Sequence, residues 1–188
     1  MQPVAREEIV DYATYEDGRE VFRDRVLAAK RVRRVHLGDY LMLLFENALT
    51  VRYQIQEMIR VERIVREADI RHEIDTYNEL LGGDGELGCT LMIEIDDPAE
   101  RAVKLRAWFG LPEHLYLVLP DGRRVRPRVD ERQRDDERIS SVHYLKFAVG
   151  GAAPVAVGCD LPGLVVEIRL TDEQRRALAD DLGPEPPA

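Results

Sequence analysis

The run Leu41-Met42-Leu43-Leu44-Phe45 constrains this chain more than any other stretch, because it is apolar on both faces of an extended strand. Successive strand side chains point to opposite faces, so five apolar residues in a row predict burial above and below. Such a strand belongs inside a sheet, with helices covering at least one side. Gly38-Asp39 supplies two turn residues ahead of it and residues 35–37 supply a partner, which predicts a hairpin over 35–46.

Elements of both kinds surround this hairpin. Helical spacing predicts helices over 6–12, 15–33, 50–65, 70–81, 97–109 and 171–182. Thr50 is the expected N-cap of the third, Gly82-Gly83 stops the fourth, and Pro98 fits the first turn of the fifth. Thr171-Asp172-Glu173-Gln174 is a capping box for the last. Strands are expected over 87–96, 115–119, 123–129, 142–149, 155–159 and 165–170, with Pro120-Asp121-Gly122 as a hairpin turn. Helices followed by strands with interspersed helices predict an α+β fold, a largely antiparallel sheet packed against several helices. At 188 residues the chain suits a single domain over 1–183, followed by a disordered Pro-rich tail over 184–188. The segment 130–138 carries eight charges in nine residues and reads as a solvated loop.

Charge and cysteine usage exclude several classes of function. A net charge of −9 argues against nucleic-acid binding, which draws on clustered cations. The basic run Lys30-Arg31-Val32-Arg33-Arg34 reads as the cationic last turn of a helix. Cys89 and Cys159 lie in apolar strand-like segments without CxxC spacing, which predicts buried fillers rather than a zinc knuckle or redox dithiol. Neither a secretory signal nor an apolar run long enough to span a membrane is apparent, so the expectation is a reduced, cytoplasmic protein.

The chemistry-bearing candidates are polar residues in apolar patterns. A helix over 50–65 gathers Val51, Ile55, Met58 and Val65 onto one stripe, and Glu62 falls inside it. His143 alternates with Leu145 and Phe147, and Glu94 shares a strand face with Met92 and Thr90. A buried carboxylate needs a cation, a proton or a metal. If Glu62, Glu94 and His143 converge, their donor set suits iron, manganese or zinc, with Glu57 and Gln54 supporting the ligands from behind. The simpler alternative pairs Glu62 with one of the chain's 24 arginines and makes His143 a core histidine bonded to a backbone carbonyl. A small-molecule pocket between the sheet and the Glu62 helix is a third reading. No nucleotide-binding glycine motif or nucleophile elbow is present, so no enzyme class is indicated. His36, His72 and His114 are expected to be exposed, and Tyr53, Tyr77 and Trp108 to be core or rim aromatics. A homodimer is the default oligomer for a chain of this size.

Several segments resemble the bacterial family called domain of unknown function 3501 over nearly the whole chain. They are Leu44-Phe45-Glu46, Tyr53-Gln54-Ile55-Gln56-Glu57-Met58-Ile59-Arg60-Val61-Glu62, Tyr77-Asn78, Leu91-Met92-Ile93-Glu94 and Val142-His143-Tyr144-Leu145-Lys146-Phe147. The resemblance brings no activity with it. It implies genomic company with rubrerythrin-like proteins and iron–sulfur oxidoreductases, hence a role near peroxide or electron-transfer chemistry. The alternative it supports is a non-catalytic accessory subunit that docks such a partner. It also implies a histidine in the segment matching Cys159-Asp160-Leu161-Pro162, and this chain has none there.

Overall fold

The computed structural model describes residues 1–130 and 138–183. The expected Pro-rich tail, and all of the charged loop except its end residues, lie outside the described residues. The elements are α1 (Tyr12–Arg31), β1 (Arg34–Leu37), β2 (Leu41–Phe45), α2 (Ala48–Glu62), α3 (Glu67–Asn78), β3 (Glu86–Ile93), α4 (Pro98–Ala107) and α5 (Leu111–His114). There follow β4 (Leu115–Val118), β5 (Arg124–Val125), β6 (Arg128–Val129), β7 (Val142–Ala148), β8 (Ala156–Cys159), β9 (Val166–Arg169) and α6 (Asp172–Leu182). The fold is α+β, with two antiparallel sheets: sheet A in the order β1-β2-β3-β7-β6 and sheet B in the order β5-β4-β8-β9.

The apolar run lies where its pattern demands. All five residues of β2 are buried, and the strand sits between β1 and β3. Alternation then sorts sheet A into two faces. On one, Val35, Leu43, Leu91 and Phe147 join a core shared with Leu115, Leu117 and Val157 of sheet B, Leu105 of α4 and Leu178 of α6. On the other, Leu44, Thr90 and Tyr144 are cross-strand partners, and α2 lies over them. Val51, Ile55 and Ile59 of α2 pack with Ile70 and Ile74 of α3, and with Val4 and Ile9 of the N-terminal segment, in a second core.

Several boundaries differ from the sequence reading, three of them for reasons that can be named. The expected helix over 6–12 is a 3-10 turn at Arg6–Glu8, and Asp11 caps α1 by accepting from the Ala13 and Thr14 amides. Helix α2 begins one turn early, because Asn47 caps it and Thr50 closes the capping box from the third position. It also ends at Glu62, where Arg63 turns left-handed with φ 52°. The expected strand over 123–129 divides between the two sheets, β5 in one and β6 in the other. Pro127 lies between the halves; it has no N–H for a ladder, so pairing breaks there and the chain changes sheet.

Candidate functional site

The expected metal ligands are scattered by burial and orientation. Glu62 is exposed at the last position of α2, which corrects the reading of a carboxylate in a dry interior. The helical stripe passes through position 62, but the covering layer ends at Ile59 because the helix stops. Glu94 is exposed just past β3, its carboxylate 3.9 Å from His36 Nδ1. His143 is buried on the opposite face, where its Nε2–H donates to the Ser140 carbonyl at 2.9 Å. Its Nδ1 is buried and has no described hydrogen-bond partner, and burial pushes its pKa down. Among the described residues, no three histidine, cysteine, aspartate or glutamate side chains gather as a metal site.

Among the described residues the most deeply buried carboxylate is Glu46, which is 1% exposed. Its Oε2 accepts from Thr50 Oγ1 at 2.6 Å, and its Oε1 accepts from Thr90 Oγ1 at 2.7 Å and from Gln54 Nε2 at 3.3 Å. Glu46 also sits just before the N-cap of α2, where the helix dipole favours a negative charge. Position 46 continues the face of Met42 and Leu44, and the spacing to Thr50 is one helical turn, so a signal for this centre exists in the sequence.

The run 54–57 is spent on holding the helices together. Gln56 exchanges two hydrogen bonds with the Val10 backbone, its Oε1 accepting at 2.9 Å and its Nε2 donating at 3.1 Å. Asn78 does the same with Val4, at 2.8 and 3.0 Å. Glu57 does not support a metal ligand; it accepts from Tyr15 Oη, from Arg19 Nε and Nη2, and from Arg60 Nη2. Burial raises its pKa, but the hydrogen bonds from Arg19, Tyr15 and Arg60 outweigh it and leave the group at about 2. A third buried polar contact is the two-bond ion pair Arg33–Asp181, at 2.7 and 2.8 Å, which ties α6 to the end of α1.

An open cleft of about 740 Å³ lies between the end of α3 and the β6–β7 edge of sheet A. Thr76, Tyr77, Glu79 and Leu80 form one wall, and Arg128, Val129, Asp130, Tyr144 and Lys146 the other. Tyr144 and Lys146 stand two apart on β7 and so face the same way. Across the ladder from Lys146 is Gly88, where a Cβ would overlap the Leu80 carbonyl. Glycine there lets the chain after α3 rest directly on the sheet and sets the wall of the cleft. Arg128 is held by Glu86, with its Nη2 at 3.3 Å from the carboxylate, whereas the Lys146 ammonium makes no ion pair or hydrogen bond with any described residue. The alternation of β7 placed Tyr144 and Lys146 together in the sequence, but nothing there placed α3 opposite them.

Comparison with known proteins agrees with the fold. A crystal structure of a protein of unknown function from Burkholderia pseudomallei superposes with a TM-score of 0.88 at 32% identity, covering 96% of this chain and 100% of that one. Among curated proteins none matches. No helix among the described residues is long and apolar enough to cross a membrane. The model of the protein family of unknown function DUF3501 matches residues 3–182, and the chain belongs to that family.

Proposed function

We propose that this protein binds a small amphipathic molecule with an anionic group in the cleft between α3 and β7. The observation that carries the reading is the Lys146 ammonium, unmatched by any described residue, in a cleft of about 740 Å³ walled by Tyr77, Leu80, Val129 and Tyr144. That volume lies within the roughly 300–1,000 Å³ typical of sites for small ligands. The aromatic rings and aliphatic groups suit an apolar body, and the lysine suits a carboxylate, sulfonate or phosphate at its end.

The test uses 1-anilinonaphthalene-8-sulfonate, an aromatic monoanion, titrated by fluorescence into the folded protein. Saturable binding at one site is expected, weakened about tenfold by Lys146→Met, equivalent to about 1.4 kcal/mol. Binding that is absent, or equal in the variant, removes the proposal. A metal or redox centre on Glu62, Glu94 and His143 draws no support from this geometry, because two of the three face water and the third faces the core. Docking of an iron–sulfur or rubrerythrin-like partner is a second reading, favoured by Val61 and Val65, which flank the Arg63 corner at 67% and 72% exposure. Its test is co-purification with such a partner, lost in a Val61→Asp, Val65→Asp double variant.

A further inference from the structure

A second polar centre, sharing no residue with the cleft, is built on sheet B. Tyr116, Gly158 and Glu167 are cross-strand neighbours on β4, β8 and β9. A Cβ at position 158 would overlap the Tyr116 ring, so glycine lets the phenol lie flat across β8, and its hydroxyl donates to Glu167 Oε2 at 2.8 Å. The Arg124 and Arg126 guanidinium carbons lie 4.1 and 5.2 Å from the centre of that ring. Just before β4, at the end of α5, is His114, and just after β8 is Asp160, with Nδ1 and Oδ1 2.9 Å apart. Arg126 donates to both Asp160 carboxylate oxygens and, through Nη1, to the His114 carbonyl at 2.8 Å. The Asp160 amide donates to the same carbonyl at 3.1 Å.

This arrangement fixes the histidine. Hydrogen bonds from Arg126 first, and from His114 second, hold the Asp160 carboxyl far below the usual carboxylate range. In the neutral ring, a carboxylate facing Nδ1 places the proton on that nitrogen and the lone pair on Nε2. No described residue hydrogen-bonds Nε2, and the side chain is 39% exposed. No serine or threonine hydroxyl joins the hydrogen-bonded cluster, and Cys159 is a buried thiol whose pKa burial raises. The imidazole itself is therefore the available nucleophile.

We propose that His114 is a nucleophilic histidine for activated acyl compounds, a thioester or an aryl ester, with Asp160 and Arg126 as positioning residues. The Nε2 lone pair attacks the carbonyl carbon, a C–N bond forms, and the C–S or C–O bond to the leaving group breaks as thiolate or phenolate departs. Asp160 stabilises the positive charge that the acylated ring shares with Nδ1–H. Water then adds to the carbonyl carbon and gives up one proton, which neutralises the departed thiolate or, for a phenolate, passes to solvent; the C–N bond breaks with its electron pair returning to Nε2, and the carboxylic acid leaves. The only co-reactant is water, and no atom changes oxidation state.

The test is hydrolysis of p-nitrophenyl acetate by the full chain, compared with His114→Gln and His72→Gln, alongside ¹⁵N spectra of the wild-type imidazoles. The expected result is a loss of at least tenfold in the protein-catalysed rate for His114→Gln, no loss for His72→Gln, and an Nδ1–H tautomer assigned to His114. A smaller loss, an equal loss in both variants, or an Nε2–H tautomer at His114 overturns the proposal. The spectra are read on the unmodified protein, so they decide even if a variant folds poorly.

Discussion

The Glu46 centre and the α3–β7 cleft differ in who completes their polar groups. Both lie on the same face of sheet A, beneath α2 and α3 respectively. At Glu46 the chain supplies every partner: two threonine hydroxyls and a glutamine amide close on a carboxylate that is almost fully excluded from water. In the cleft no described residue matches the Lys146 ammonium, which lies beside two tyrosines where water can still reach it. A buried charge left incomplete costs several kcal/mol, so a closed polar centre marks a structural requirement. An incomplete one at a solvent-open rim costs little and is free to meet a ligand.

If that division holds, damage to the closed centres lowers stability most. Arg33→Met leaves Asp181 buried at 8% side-chain exposure without its guanidinium partner. The expected cost is about 3–5 kcal/mol, read as a lowered urea midpoint with an unchanged slope. A loss under about 1 kcal/mol means the aspartate finds water, and the pair is not closed. Thr90→Val keeps the shape of the side chain and removes one donor to Glu46. The loss there should be about 1.5–3 kcal/mol, the value of a hydrogen bond to a charged group.

The same division explains what could be read from the sequence. The β2 run carried its own answer, because five apolar residues leave no exposed face in a strand. Glu62 departs from its sequence reading for a geometric reason. A helical wheel gives the angle of Glu62 but not the end of α2, so it placed a solvent-facing residue on a dry stripe. Glu46 adjoins the oily run, yet its compensation comes from Thr90, 44 residues away in sequence, which no local period reveals. The split of the expected 123–129 strand was signalled by Pro127, whereas its consequence, two sheets in place of one, depends on which strands lie nearby. The cleft was the least legible feature, since it exists only where the end of α3 rests on Gly88.

His143 tests an intermediate case, a centre that is buried but only half completed. Its Nε2–H is bonded, its Nδ1 has no partner among the described residues, and burial depresses its pKa below the ordinary 6.5. The unfolded chain therefore binds a proton at a pH where the folded chain does not. The neutral ring's contribution is fully present above pH 6.5 and is lost as pH falls from there through the folded value. Wild-type stability should fall in that window by at most about 1.4 kcal/mol per pH unit, relative to His143→Met. Urea midpoints measured between pH 7 and pH 5 check this. Parallel profiles for the two proteins would mean that the ring is protonated inside the fold.

The smallest expected effect on stability is at the open rim, and it discriminates most sharply. Lys146→Met removes a charge that no described residue opposes, from a half-buried position on a strand whose other face is fixed by Leu145 and Phe147. The aliphatic stem is retained, so the change in unfolding free energy should stay within about 0.5 kcal/mol, while affinity for the anionic probe falls about tenfold. An ammonium serving the fold would produce the reverse, a stability loss with binding intact. Such a result would place Lys146 in the same class as Arg33, and the contrast between a completed interior and an uncompleted rim would no longer separate structure from function in this protein.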